Sequence, residues 1–212
     1  MVELSGVSLG YGNYAVLRGV SFKISRDDFF LIQGPNGAGK STLGQSMLGF
    51  IKPQAGDFNA AYRRPAYVPQ QRYLDMQYPL SLVELVETGL KPGPFYHSIS
   101  PQKRKERRKA AVEALDRVGM SANAGLLFRE ASGGQLQRTL IARALISQPD
   151  FIILDEPFSN LDFAGKASIA DLLQEKSDEG MTIGIIDHTS EIDDKLQFNC
   201  KLRVEAGSVR FS

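Results

Sequence analysis

Cysteine is almost missing from this sequence, Cys200 being the single one. One thiol excludes an internal disulfide framework and suits a reducing compartment. Cys200 itself reads as a small buried apolar residue. Net charge is equally scarce: 25 Lys and Arg face 24 Asp and Glu, leaving +1, which gives no global reason to expect a nucleic-acid partner. No apolar stretch approaches the roughly 18–20 residues that a membrane helix needs. The opening residues, MVELSGVSLG, lack the basic region and apolar core of a secretory signal. These absences predict a soluble chain whose membrane association, if it has one, comes through a partner. Repeats, low-complexity stretches and long linkers are also lacking. What is there, 212 residues with 42% hydrophobic content, suits one domain with a buried core and room for an inserted lobe.

The texture along the chain divides it further. Val2 to Leu9 and Val20 to Ile24 read as short strands around a turn at Tyr11 and Gly12. Phe29 to Ile32 is a compact apolar run, the pattern of a strand covered on both faces. Ser41 to Leu48 then suits a helix ended near Gly49 and Pro53, and Ala66 to Val68 another short strand. From Gln71 to Ser147 the pattern turns helical. Leu82, Leu85, Val86 and Leu90 mark one helix, broken by Pro92-Gly93-Pro94. Lys103 to Val118 suits a second, with Ala111, Leu115 and Val118 on one face. Ser132 can cap a third, striped by Leu136, Leu140, Ile141, Ala144 and Leu145. Strand patterns return at Phe151 to Leu154 and Met181 to Ile186, flanking an amphipathic helix from Ala164 to Lys176. Lys201 to Phe211 reads as a hairpin turning at Ala206-Gly207, after which no room is left for a C-terminal regulatory domain. The expected organisation is one domain over residues 1–212. An all-α lobe at about 71–147 is set into an α/β core formed by 1–70 and 148–212.

Two stretches carry chemistry by themselves. GPNGAGKST, Gly34 to Thr42, follows an apolar strand and precedes a helix, the context of a phosphate-binding loop. Gly34, Gly37 and Gly39 permit a turn that aims backbone N–H groups at phosphate oxygens, and the helix N-terminus adds its positive end. Lys40 then reaches the β- and γ-phosphates, and the Ser41 hydroxyl ligates Mg²⁺. Asp155 and Glu156 close the buried run Phe151 to Leu154, so both stand at a strand's carboxyl end, the edge where such sheets bind ligands. One carboxylate can serve the Mg²⁺ shell. The other, expected on the opposite side of the strand, can polarise an attacking water.

Taken together the motifs resemble the nucleotide-binding subunit of ATP-binding-cassette (ABC) transporters, nearly end to end. Gly34, Pro35, Asn36, Gly37, Ala38, Gly39, Lys40, Ser41 and Thr42 match the Walker A loop, and Phe151 to Glu156 match Walker B with its catalytic glutamate. Ser132-Gly133-Gly134-Gln135 match the family signature LSGGQ, with Ala131 in the Leu place. Gln70 stands at the Q-loop glutamine, Ser159 to Asp162 at the D-loop, His188 at the switch histidine and Tyr11 where a ring stacks on adenine. Asp187-His188-Thr189 departs from the usual order, in which an acidic residue follows the histidine. The resemblance implies a P-loop NTPase core of ABC type with an inserted all-α subdomain and an N-terminal antiparallel β portion. It implies Mg²⁺ with ATP, held by Ser41, Gln70 and, through water, Asp155. Glu156 is then the general base, assisted by His188, Gln70 and Lys40. It further implies a head-to-tail homodimer in which Ser132 to Gln135 serve the partner copy's ATP. A polytopic membrane permease and a substrate-binding protein complete the assembly on the cytoplasmic face of the membrane.

Cargo is less legible. Asp75, Pro79, Val83, Val86 and Gly89 are spaced as in zinc and manganese importers, with iron-chelate importers close behind. An exporter motor, sharing every catalytic residue, and a soluble ABC ATPase are the alternatives. The basic run Lys103 to Lys109 reads as a solvated helix face, with contact to anionic headgroups as the competing use. Aromatic residues do not interleave it, so nucleic acid is not expected.

Overall fold

Apolar runs bounded by glycine, proline and asparagine set the strands, and capped runs of helical period set the helices. The computed structural model describes residues 1–71, 79–90, 100–187 and 196–212. In chain order these form β1 (Val2–Tyr11), β2 (Tyr14–Ile24), β3 (Phe29–Gln33), α1 (Lys40–Met47), β4 (Ala55–Ala60), β5 (Pro65–Val68), α2 (Leu82–Glu87) and α3 (Pro101–Arg117). There follow α4 (Gly133–Leu145), β6 (Phe151–Asp155), α5 (Phe163–Asp178), β7 (Thr182–Ile186), β8 (Cys200–Glu205) and β9 (Ser208–Phe211). Among the described residues no helix is long and apolar enough to cross a membrane. The chain divides into two units. One comprises Met1–Tyr67, Asp150–Pro157 and Leu173–Ser212, the other Val68–Pro149 and Phe158–Leu172.

The first unit holds two sheets. A three-stranded antiparallel sheet runs β2-β1-β4, and a six-stranded sheet runs β5-β6-β7-β3-β8-β9. β6, β7, β3 and β8 are mutually parallel, and β9 turns back antiparallel on β8. A parallel strand covered on both faces needs apolar side chains at every position rather than alternate ones. Phe29 to Ile32 and Phe151 to Leu154 meet that demand, none being more than 1% exposed. Phe30 and Phe151, on strands separated by β7, bring their rings to 6.3 Å. With Leu43 and Met47 of α1 and Val2, Leu4, Leu17 and Ile24 of the antiparallel sheet, they form one core. Burial of each such side chain contributes about 1.5–3 kcal/mol.

β4 was not expected from the sequence. Its residues, AGDFNA, are mostly exposed, and Gly, Asp and Asn are poor strand formers. Pairing with the edge of β1, Val2 opposite Ala60 and Leu4 opposite Phe58, makes the strand.

In the second unit the helices form as expected. α2 begins with a capping box: Ser81 caps, and the Glu84 carboxylate accepts from the Ser81 backbone N–H at 2.8 Å. Leu82, Val83 and Val86 of α2, Ala111 and Leu115 of α3 and Leu136, Leu140 and Ile141 of α4 are buried. Val118, just past α3, is buried too, whereas Ala144 and Leu145 are only half-buried. Part of the basic run has a structural use. Arg107 donates to the carbonyls of Glu87 and Leu90 at 3.0 and 3.3 Å, and Arg108 pairs with the Glu87 carboxylate at 3.4 Å. Those cations meet the carbonyl end of α2, where positive charge is favoured. Lys103, Arg104 and Lys105 remain exposed.

Candidate functional site

Parallel pairing fixes which loops share an edge. Ile32 of β3 lies opposite Ile186 of β7, which lies opposite Asp155 of β6. The three strands therefore end on one row, β3 and β6 about 10 Å apart with β7 between them. Two backbone bonds extend the row: Glu156 donates to the Ile186 carbonyl at 2.8 Å, and Asp187 to the Ile32 carbonyl at 3.2 Å. The glycine loop after Gln33 and the acidic residues at the end of β6 thus leave the sheet at the same edge, with β7 between them.

The loop is built from close backbone approaches. A Cβ on Gly34 would stand 2.1 Å from the Val204 carbonyl oxygen of β8, so no other residue fits where the loop departs. The Lys40 ammonium, on a residue 7% exposed, donates to the carbonyls of Gly34 and Pro35 at 2.9 and 3.1 Å. Those bonds hold the cation across the loop's own turn, the position from which it can meet phosphate oxygens. Pro35, Asn36 and Gly37 are exposed, Gly34, Ala38, Gly39 and Ser41 half-buried, and Thr42 buried. Tyr11, 56% exposed, stands opposite Tyr14 at the tip of the β1–β2 hairpin.

Asp155 is 3% exposed, and one of its oxygens accepts a hydrogen bond from the Tyr67 hydroxyl at 2.9 Å. Burial, and then the Asp155 carboxylate itself, push the Tyr67 phenol well above its ordinary value, so it stays a donor. Sequence reasoning missed Tyr67. It lies 88 residues away in the chain, and only the neighbouring positions of β5 and β6 in the sheet bring it to Asp155. The alternation expected for Asp155 and Glu156 does not continue either: β6 stops at Asp155. Glu156 adopts φ +50°, a left-handed conformation that costs a side-chain-bearing residue about 1–3 kcal/mol. Turn geometry, anchored through the bond to Ile186, therefore orients the Glu156 carboxylate, not strand pleating. The donors in this unit, one buried carboxylate and the Ser41 hydroxyl beside a phosphate loop, are hard oxygens. They fit Mg²⁺, which favours one or two protein oxygens together with phosphates.

The second unit carries the remaining positions. Ser132 caps α4 as predicted: its hydroxyl accepts from the Gln135 N–H at 3.3 Å, and the Gln135 side chain accepts from the Ser132 N–H at 2.9 Å. Gly133 and Gly134 pack on Asn160, whose φ is +62°. A Cβ on Gly134 would lie 2.8 Å from the Asn160 carbonyl oxygen, so the pair of glycines is required within this unit itself. Asp162 closes the first turn of α5, accepting from the Gly165 N–H at 2.9 Å, and pairs with Arg138 of α4 at 3.3 Å. Gln70, half-buried, precedes Gln71, and Gln71 was overlooked in the sequence. The Gln71 amide donates to the Gly133 carbonyl at 2.6 Å and to the Gln137 side-chain oxygen at 2.9 Å, and accepts from the Asn160 amide at 3.3 Å. Gln137 is fully buried, and its NH₂ has no partner among the described residues, a loss of about 1–3 kcal/mol. Asp75, His188 and Thr189 lie outside the described residues.

Comparison with known proteins bears on these positions together. The model of the family described as ABC transporter matches residues 17–159. The manganese transport system ATP-binding protein MntB of Listeria monocytogenes is 33% identical over 213 residues, covering 95% of this chain and 88% of that one. The zinc import ATP-binding protein ZnuC of Paramagnetospirillum magneticum is 34% identical over 189 residues, covering 89% and 68%. Among solved structures, a dimeric post-hydrolysis state of the ATP-binding cassette MJ0796, bound to ADP and Pi, superposes with a TM-score of 0.84. It is 28% identical, with 100% of this chain and 98% of that one covered.

Proposed function

The chain belongs to the ABC transporter family, and on that footing we propose that it is the ATP-hydrolysing subunit driving import of a transition-metal ion of the manganese and zinc class. The names of its relatives, a manganese transport and a zinc import ATP-binding protein, support the cargo. The observation that carries the chemistry is the shared row of Ile32, Ile186 and Asp155. It sets a phosphate loop and a carboxylate pair on one sheet edge.

In this reading Tyr11 stacks on adenine, and the backbone N–H groups of Gly34 to Thr42 with Lys40 take the β- and γ-phosphates. Mg²⁺ would be held by Ser41, by Gln70 and, through water, by Asp155, neutralising charge on those phosphates. Glu156 accepts a proton from water as its oxygen bonds to the γ-phosphorus. The bond from phosphorus to the bridging oxygen breaks, and ADP leaves with that electron pair. His188 assists by hydrogen bonding to the γ-phosphate. Two copies close head to tail, Ser132 to Gln135 of each serving the other's ATP, and Asp162 lies at that junction. A helix-start capped by Ser132 suits the task, since its N–H groups and positive end favour an anion. Closure moves a polytopic permease, fed by a substrate-binding protein, and the cassette thereby resides on the cytoplasmic membrane face.

The test uses the assembled transporter in vesicles. Glu156→Gln should lower ATP turnover by at least about 100-fold, the scale of general-base catalysis, and abolish Mn²⁺ and Zn²⁺ uptake while ATP still binds. Wild-type turnover in that variant overturns the general-base role. If the unmodified transporter moves neither metal, the cargo assignment is wrong.

A further inference from the structure

We propose that Gln71 is a positioning residue for the composite site, acting on the partner copy's nucleotide through the Gly133–Gly134 peptide. The inference rests on the composite-site reading given above. Its ground is a chain of orientations. The Gly133 carbonyl can only accept, so the Gln71 amide must turn its NH₂ toward it, and it does so at 2.6 Å. The same NH₂ donates to Gln137 at 2.9 Å, which fixes Gln137 with its oxygen outward and its own NH₂ buried without a partner among the described residues. The Gln71 oxygen, left facing the other way, accepts from Asn160 at 3.3 Å. One amide therefore ties the start of α4 to the turn before α5, and all three of its bonds are within one unit of the chain.

The consequence lies in peptide geometry. The Gly133 carbonyl and the Gly134 N–H belong to one planar trans peptide and point in opposite directions. Gripping the carbonyl fixes where that N–H aims, and withdrawing electron density from the oxygen strengthens the N–H as a donor. Gly133 and Gly134 have no side chain to hold the peptide, and glycine is the residue most able to rotate it. Asn160 packs on one side, with its Cβ 3.1 Å from where a Gly133 Cβ would be. The first turn of α4 aligns the peptide, and Gln71 adds a second, side-chain restraint on its carbonyl. Gln137 is held in an otherwise unfavourable buried orientation by the same contact, which marks the arrangement as one kept for position.

ATP-driven dimerisation of the Glu156→Gln chain, measured by sedimentation, tests this. Gln71→Leu keeps the side chain's bulk and removes all three bonds. On the Glu156→Gln background it should weaken the ATP-bound dimer about tenfold. The affinity of dilute single chains for Mg-ATP should stay within about twofold, because the effect falls on the partner's nucleotide. Asn160→Ala should weaken the dimer in the parent and add nothing once Gln71→Leu is present. A Gln71→Leu dimer as tight as the parent overturns the inference. So does an equal loss of single-chain Mg-ATP affinity, which would put the action on the chain's own site beside Gln70. Full additivity with Asn160→Ala overturns it as well, showing general loosening rather than one latch. If the Glu156→Gln parent stays monomeric with ATP, the composite-site reading falls first.

Discussion

Asp155 shows how a single residue's role depends on one neighbour. A carboxylate buried to 3% exposure at a strand end has two oxygens to satisfy, and the Tyr67 hydroxyl at 2.9 Å takes one of them. The phenol's own titration is displaced upward by burial and by that carboxylate, so the bond keeps its direction, oxygen accepting. The carboxylate is thereby fixed in rotation, and in the proposed site its second oxygen would serve the water shell of Mg²⁺. Partners of this kind are worth about 10–100-fold in metal affinity. Tyr67→Phe, which keeps the ring in place, should raise the Mg²⁺ concentration needed for half-maximal ATP binding about tenfold. Nucleotide affinity without Mg²⁺ should not change. Identical Mg²⁺ titrations by nucleotide fluorescence for the two proteins would remove Tyr67 from the site. The Gln45 amide donates to the same hydroxyl oxygen at 3.5 Å, so it leaves Asp155 as the acceptor of the phenol's proton.

At the scale of elements, the β8–β9 hairpin is closed by two residues with positive φ, Ala206 at +46° and Gly207 at +78°. A two-residue turn of this hand prefers Asn-Gly, and alanine is a poor occupant of its first position. Ala206→Asn should stabilise the protein by about 1 kcal/mol, raising the thermal midpoint by roughly 2–4 °C. An unchanged or lowered midpoint in calorimetry would show that the turn is not strained. This hairpin was legible in the sequence because alternating residues flank a recognisable turn pair. Phe29 to Ile32 and Phe151 to Leu154 were legible for a related reason, since a parallel interior strand must be apolar throughout. The cap at Ser132 was equally plain, with Gln135 three residues on. β4 was not legible, its residues being polar and its strand character coming from β1. The left-handed Glu156, the Tyr67 hydroxyl and the Gln71 latch escaped too, because each depends on which elements become neighbours. Sequence motifs picked out candidate side chains such as Lys40 and Glu156. The residues that aim them lie at positions no local pattern distinguishes.

On the scale of the molecule, the candidate site residues fall in two units. One holds Tyr11, the loop from Gly34 to Thr42, Asp155 and Glu156; the other holds Gln70, Ser132 to Gln135 and Asp162. A chain that served its own nucleotide with both would lose both sites when the two lesions sit in different copies and only one site when they sit in the same copy. A head-to-tail pair behaves differently, because each site takes its phosphate loop from one copy and its Ser132 turn from the other. Put Lys40→Ala in one copy and Ser132→Arg in its partner, and both lesions fall in the same site, leaving the second intact. Put both lesions in one copy beside an unmodified partner, and each site loses one half. Pairs purified through two different tags should therefore separate by turnover. The split arrangement should keep up to about half of the unmodified rate, given independent sites, and the stacked arrangement should fall to background. The opposite ranking, with the stacked pair active and the split pair dead, would mean that each copy hydrolyses ATP with its own Ser132 turn. Equal rates in the two pairs would mean that the turn takes no part in choosing between copies.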